Sequence, residues 1–375
     1  MRKSDDSVFL WSPLLIAAAA AVLCAVGLLI LESAGSGKSN PHEFLQKQAV
    51  FMCVALAAGT ITAFVDLQKL KKLAVPIAVV CAILLFLVLI PQIGKEVNGS
   101  RRWLSFGSIA VQPSDFAKIA VVLLLASFLH DNQRRVGTVK DGIIKPLLLA
   151  ALFCALIIAE PDFGTCALCG LVAVSMIFIA GCPKGILAGL LAVGTAGLSV
   201  LVYLSPVRRA RVLAFLDIEN TKLEGSYQLY QAILGFGAGG IRGAGIGRGR
   251  QQLSFLPEAH TDFIFAIVGE EMGLFFTLLV VAMFLVIFFA GISLLKRAKN
   301  KFEFYMAFGA ILMITYQAMF NMCVVTGLMP TKGISLPFIS LGGSNLLVMF
   351  VFLGIIFNCA RTWRKPTKIK AVEYE

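Results

Sequence analysis

Asp262 stands in the segment LPEAHTDF, where a glycine-rich stretch gives way to a long apolar run. Counting back from Lys296, about 20 residues fill a hydrocarbon core of roughly 30 Å, which leaves Asp262 at the level of lipid headgroups. At about 100° per helical residue, Asp262, Ala266, Gly269 and Gly273 share one face. Glu270 is turned about 80° from Asp262, and Glu271 about 180°. An acid above a stripe of small residues suits a cavity. It suits equally a first-turn carboxylate that favours the helix dipole, over a stripe used for helix packing. Both readings stand from the residues alone.

The other charged constellations share one property: their cations are clustered. Arg101 and Arg102 precede Trp103; Arg208, Arg209 and Arg211 form a second group; Arg242, Arg248 and Arg250 a third; Lys332 is the one charge in MPTKGISLPFISLGGSN. Arginines so placed either hold phosphate in bidentate fashion or form an interfacial belt with the tryptophan. Asp115 and Lys118 are three apart at a helix start marked by Pro113 and Ser114, a spacing that permits an ion pair, although Lys118 could equally snorkel to the interface. Glu160, Pro161 and Asp162 make a short acidic turn, open to a cation, to an arginine or to turn chemistry alone. Gly235, Gly237 and Gly240 fit GxGxxG, but no strand precedes them, so a dinucleotide fold is excluded. That glycine segment is either a plain loop or a backbone cradle for phosphate. Residues 329–345, with two prolines and paired glycines, suit a broken re-entrant segment.

The elements that position these residues are membrane helices. The 375-residue chain is 58% hydrophobic and 14% charged, with mean hydropathy +0.87, whereas a soluble domain is about a quarter charged. Apolar runs long enough to span fall near 9–31, 48–65, 73–91, 114–130, 144–159, 164–181, 185–205, 263–295, 302–328 and 338–360, the fifth being short. The expectation is therefore an all-α, polytopic integral membrane protein of about ten transmembrane helices, forming a single domain over residues 1–375, with a large loop, 206–262, between helices 7 and 8. Lys and Arg crowd the short connectors 66–72, 131–145 and 296–301 and both tails. The positive-inside rule assigns that side, with both termini, to the cytoplasm. The loops 32–47, 92–113, 160–163, 206–262 and 328–343 then face outward. Clustered cations retained there against the topological rule point to an anionic ligand.

Several classes drop out. The net charge of +12 comes without a basic stripe interleaved with aromatics, so nucleic acid is not the partner. The nine cysteines lie in or beside apolar runs as packing residues, with no disulfide framework and no zinc site. Three histidines cannot make a His-rich metal centre. The first apolar run is too long for a cleavable leader and is expected to remain as the first span.

NGSRRWL, QPSDFAK, EPDFGT, the glycine segment, LPEAHTDFIFAIVGEEMG and GLMPTKGISLPFISLGGSN, in that order over nearly the whole chain, resemble the SEDS (shape, elongation, division, sporulation) family, and its cell-division branch more than its elongation branch. Asp115 stands where the family usually has Glu, and Leu341 and Asn345 stand where it usually has Tyr and Ser. The resemblance implies a peptidoglycan glycosyltransferase that polymerises lipid II at the outer face of the bacterial cytoplasmic membrane, at the division septum, and releases undecaprenyl pyrophosphate. Its implied partners are a class B penicillin-binding protein and other divisome membrane proteins. The family's catalytic aspartate corresponds to Asp262. Its cavity residues correspond to Arg101, Arg102, Trp103, Lys118, Glu258 and Lys332, and the candidate substrate-binding set extends to His260, Glu270, Ser340, Gly342 and Gly343. The resemblance implies no certain cofactor. A divalent cation at the pyrophosphate is compatible with it, but the sequence shows no decisive ligand set.

On this reading Asp262 is the general base for the acceptor hydroxyl, and Arg101, Arg102, Lys118 and Lys332 stabilise the leaving pyrophosphate. The rivals are a lipid II flippase and a scaffold that only recruits partners. A carrier needs a site reachable from both sides, whereas the charged motifs gather on one. A scaffold has no need of so many outward ionisable residues.

Overall fold

The computed structural model describes residues 2–35, 40, 42–97, 100–107, 109–221, 225–251 and 256–364. The basic tail from Lys365 to Lys370 lies outside them, as do the side chains of Arg208 and Arg211.

Among the described residues nine helices are long and apolar enough to cross a membrane: α1 (Arg2–Gly35), α2 (Glu43–Phe64), α5 (Pro113–Asp131), α6 (Lys145–Ala159, extended at its start by a π-helical turn, Lys140–Ile144), α7 (Phe163–Ala180), α8 (Lys184–Leu204), α11 (Ile264–Leu295), α12 (Lys301–Val325) and α13 (Gly343–Arg364). The expected third span is the short one: α4 (Ala74–Val88) has 15 residues, less than the roughly 20 needed to cross upright. A six-residue helix, α3 (Leu67–Lys72), leads into it. The fifth span, short by sequence, reaches 20 residues once the π turn is counted. The last span begins at Gly343 rather than at 338, because residues 337–342 turn, with Phe338 at φ +67.

Local chemistry sets the helix ends. Asp162 caps α7 by accepting from Thr165 N at 3.1 Å, and Asn300 caps α12 by accepting from Phe302 N at 2.9 Å, each satisfying an amide with no intrahelical partner. Pro113 opens α5 where its missing N–H costs nothing. Helices α5, α7, α12 and α13 form the centre, whereas α8 is exposed along nearly its whole length. The α2–α13 contact is backbone-close. A Cβ on Gly59 would lie 2.7 Å from Phe350 O, and one on Gly354 2.3 Å from Gly59 O. Small residues drive such contacts where lipid gives helices no hydrophobic reason to associate.

The connectors at one end carry structure of their own. In the 92–113 loop the chain makes a three-stranded antiparallel sheet, β1 (Gly94–Val97), β2 (Ser100–Phe106) and β3 (Ile109–Val111), with Lys95 opposite Trp103 and Leu104 opposite Val111. The outward loop expected there thus holds a small sheet, which the sequence reading did not specify. The 206–262 loop contains α9 (Pro206–Leu216) and α10 (Tyr227–Gly239).

Candidate active site

These connectors enclose a cavity of about 660 Å³. Its walls come from β2 (Ser100, Arg102, Trp103), the start of α5 (Gln112, Asp115, Lys118), α7 (Thr165), the entry to α10 (Gly225, Tyr227, Gln228), the segment before α11 (Glu258, Thr261, Asp262), α12 (Gln317) and residues 331–345.

Asp262 is partly buried in the wall, and among the described residues nothing donates a hydrogen bond to its carboxylate. Desolvation raises its pKa from 3.8 to about 7, helped by the negative fields of Glu258 and Asp162 and opposed by Arg102. The carboxyl is thus poised near neutrality, where a general base works best. A Cβ on Gly333 would lie 2.8 Å from Asp262 Oδ2, so a glycine is what lets the two segments meet. Glu258, four residues earlier, is held in the left-handed region at φ +55, and its Oε2 accepts from Thr261 Oγ1 at 3.0 Å.

The cations divide into three kinds. Adjacent strand residues point to opposite faces, so Arg101 and Arg102 part company. Arg101 pairs with Glu96 at the surface, 3.2 Å away, outside the cavity lining. Arg102 faces in and donates from Nε to Glu160 O at 3.0 Å and from Nη2 to Pro161 O at 2.6 Å, leaving donors for a ligand. Lys118 is 3% exposed at the cavity floor. It donates to Asp115 Oδ1 at 2.7 Å, Gln317 Oε1 at 2.8 Å and Asn345 Oδ1 at 3.3 Å, which uses all the N–H bonds an ammonium has. Lys332 faces the cavity and makes no ion pair among the described residues. Partial desolvation lowers its pKa, against the pull of Cys166 and Asp162.

Glu160 sits behind Arg102, fully buried, with both carboxyl oxygens unpartnered among the described residues. Burial, then the neighbouring Asp162, raises it to about 9, so it is protonated at pH 7. Asp162 is held by Gln112, Ser114 and the Thr165 amide.

Of the candidates named from sequence, the cavity gathers Arg102, Trp103, Lys118, Glu258, Asp262, Lys332 and Gly342. It does not gather Arg101, His260, Glu270, Ser340 or Gly343. His260 stacks on Phe44 with ring centroids 4.4 Å apart. Ser340 is buried and donates to Thr261 O at 2.6 Å. Gly343 packs on Phe51. Glu270 points into the glycine segment. Its carboxylate accepts from Arg250 N at 2.7 Å and Gln251 N at 3.2 Å, while Glu271 accepts from Ser33 Oγ at 2.7 Å and from Gly247 N and Gly249 N, each at 3.2 Å. The backbone carbonyls of the same two glutamates take the amides of Ala244 and Gly245. The segment thus has little left of a phosphate cradle: the amides of Ala244, Gly245, Gly247, Gly249, Arg250 and Gln251 are already engaged by α11, which kinks there at Gly273, φ +76.

Sequence reasoning missed Gln317 and Asn321, which organise the site from α12. Their signal was available: uncharged polar side chains four apart inside a membrane-length apolar helix. Among the described residues no group of three or more His, Cys, Asp or Glu could hold a metal ion.

Fold and site together define a polytopic membrane protein with an acid- and cation-lined cavity at one end of its helix bundle. Residues 9–365 match the family FtsW/RodA/SpoVE, described as "Cell cycle protein", and the chain belongs to this family, the SEDS proteins. It is 37% identical over 350 residues to the "Probable peptidoglycan glycosyltransferase FtsW" of Geobacter metallireducens, covering 92% of this chain and 93% of that protein. The Legionella pneumophila protein of the same name is 37% identical over 344 residues, covering 90% and 87%. Among solved structures, a chain of a peptidoglycan synthase complex that coordinates polymerization and crosslinking superposes with TM-score 0.78 at 25% identity, covering 94% of this chain and 98% of that one. The rod shape determining protein RodA of Thermus thermophilus gives TM-score 0.70, also at 25% identity, covering 94% and 97%.

Proposed function

We propose that this chain is a peptidoglycan glycosyltransferase of the cell-division type, polymerising lipid II at the outer face of the cytoplasmic membrane. The observation that carries the reading is Asp262: a carboxylate with no donor among the described residues, raised to about 7, in one cavity with Lys332 and the inward face of Arg102. The names borne by its relatives supply the substrate class.

The chemistry follows from the geometry. Asp262 takes the proton of the acceptor sugar's 4-hydroxyl, whose oxygen forms a bond to the anomeric carbon of the donor. The bond from that carbon to the pyrophosphate oxygen breaks, and its electron pair leaves with undecaprenyl pyrophosphate. Lys332 and Arg102 meet the charge that develops there. Lys118 does not, because its N–H bonds are taken; it braces the floor. Attack opposite the leaving group turns an α-linked donor into a β-linked glycan with one base and no sugar–enzyme intermediate. Asp262 returns its proton to water in the open cavity.

The lysine-rich connectors on the other side support cytoplasmic termini and an outward cavity. The likeness to a chain of a synthase complex supports a class B penicillin-binding protein as the partner that crosslinks the glycan, at the septum. A carrier is the weaker reading, because the cavity walls come from connectors and from the parts of the helices nearest to them, at one end of the bundle. The test is purified protein with its cognate transpeptidase and lipid II, resolved by glycan gel. A polymer ladder from wild type supports the reading. No polymer, with lipid II crossing liposomes that hold this protein alone, replaces it with the carrier.

A further inference from the structure

Asp262 and Lys332 stand on separate irregular segments, 256–263 and 331–341. Loops of this kind do not hold two groups in register without help. The help comes from α12. Asn321, 1% exposed, donates through Nδ2 to Asp262 O at 2.7 Å and to Ile334 O at 2.6 Å. Two carbonyl oxygens face this end of the amide, so its nitrogen must occupy it, and both N–H bonds are used. One turn earlier, Gln317 donates to Ser335 O and Asn345 Oδ1, each at 2.8 Å. The seam continues outward through Ser340 Oγ to Thr261 O at 2.6 Å and Leu341 N to His260 O at 3.0 Å.

We infer that Asn321 is a positioning residue for the transfer reaction: by tying the backbones of both segments to one point on α12, it fixes where the Asp262 carboxylate and the Lys332 ammonium stand in their shared cavity. The inference rests on the reading of Asp262 as the base. A base and an anion ligand must meet one substrate together, and misplacement by about 1 Å costs on the order of a hundredfold in rate. Freed from Asn321, the segments part, and the Asp262 carboxylate becomes more open to water. The groups whose charge acts on that carboxylate are Glu258 on its own segment, Asp162 at the start of α7 and Arg102 on β2; Lys332 and the Asp115–Lys118 pair line the same cavity.

The molecule supplies its own control. Asn358, 2% exposed, donates through Nδ2 to Thr62 O at 2.8 Å and Val65 O at 2.6 Å, far along α13 from the cavity. Asn321→Ala and Asn358→Ala therefore each delete two Nδ2 hydrogen bonds to backbone carbonyls, Asn358→Ala losing in addition the long one, 3.5 Å, that Thr362 Oγ1 donates to its Oδ1. In the full-length protein with its transpeptidase, Asn321→Ala is expected to lower kcat by about tenfold to a hundredfold, leave KM for lipid II within about threefold, and move the acid limb of the pH–rate profile to lower pH. Asn358→Ala should change none of these. Asn321→Gln keeps both donors but sets them one methylene further out, so it should fold as wild type and still lower kcat. Hydrogen exchange read by mass spectrometry should quicken over 256–263 and 331–341 in Asn321→Ala alone. Unchanged exchange in those segments overturns the inference whatever the polymerase does. Parallel losses in both alanine variants, with an unmoved pH profile, reduce Asn321 to a structural part and overturn it equally. A wild type that makes no polymer removes the base reading instead, and the exchange comparison then decides the tie by itself.

Discussion

The substitution Asp262→Asn should make a dead enzyme that is harder to unfold. The carboxyl rises from 3.8 to about 7 in the folded chain, about three units at roughly 1.4 kcal/mol each. That sets a ceiling near 4 kcal/mol on what the folded state loses by carrying the charge, and partial access to cavity water brings it to about 2 kcal/mol. The sign follows from proton linkage. With its folded pKa above the unfolded value, the native chain holds the proton more tightly. Stability therefore falls as pH rises from about 4 to about 7, and the full cost is carried above that. The amide of the variant would have no charge at any pH. Asp262→Asn is thus expected to melt a few degrees above wild type at pH 8, with the gap closing as pH falls and gone near pH 4. Over the same range polymerisation should drop by about 10²–10⁴, and wild-type turnover should decline about tenfold per unit below pH 7. Tryptophan-monitored melting in detergent at pH 8, 6 and 4.5, beside a glycan gel, reads both. A variant no more stable than wild type at pH 8 would refute the desolvated carboxylate, and a variant that polymerises normally would refute the base.

Arg101→Ala removes an exposed pair worth under about 1 kcal/mol and should leave polymerisation within about twofold, whereas Arg102→Ala should lower it about tenfold or more; equal effects in the glycan gel would contradict the strand geometry that separates them. Gly333→Ala sets a methyl 2.8 Å from Asp262 Oδ2 and should depress kcat more than KM, and near-normal kcat would show that the gap is wider than the structure has it. Lys118→Met strands the buried Asp115 charge and should cost about 3–5 kcal/mol of stability, while Lys332→Met should spare stability and reduce turnover. Denaturation midpoints and single-turnover rates separate these, and the reverse pattern would exchange the roles of the two lysines.

The membrane helices were legible because hydropathy is a local property and lipid thickness fixes their length. The sheet was not. Its strands are short, and RRWLSF reads as a charged, aromatic loop until β1 and β3 are laid beside it. That omission had a chemical cost, since the two-residue strand period is what sends Arg101 outward and Arg102 inward. Helical phase placed Glu270 nearer to Asp262 than Glu271, yet it could not show that residues 243–251 fold back to meet both glutamates. The donors lie about twenty residues from the acceptors, and no periodicity links them. Asp262 itself was legible as an acid at the top of a helix. Its isolation from donors, which suits the proposed base rather than a cap, exists only after the 331–341 segment has folded beside it.

Asp115 and Asn345, two of the three places where the motifs depart from the usual family wording, are one site in space. Lys118 Nζ donates to both, and Gln317 Nε2 also donates to Asn345 Oδ1, at 2.8 Å. A carboxylate one methylene shorter still reaches the ammonium at 2.7 Å, and an amide oxygen from α13 completes the set of acceptors. A buried ammonium with an unmatched N–H is expensive, so a change at either position shifts what the other must supply. Asp115→Glu and Asn345→Ser should each disturb the floor of the cavity more than the two together do. A double-mutant cycle on thermal stability would measure that coupling, expected at about 0.5–3 kcal/mol for residues sharing one partner. Strict additivity would mean that Lys118 tolerates each change alone, and that its hydrogen-bonded set does not act as a unit.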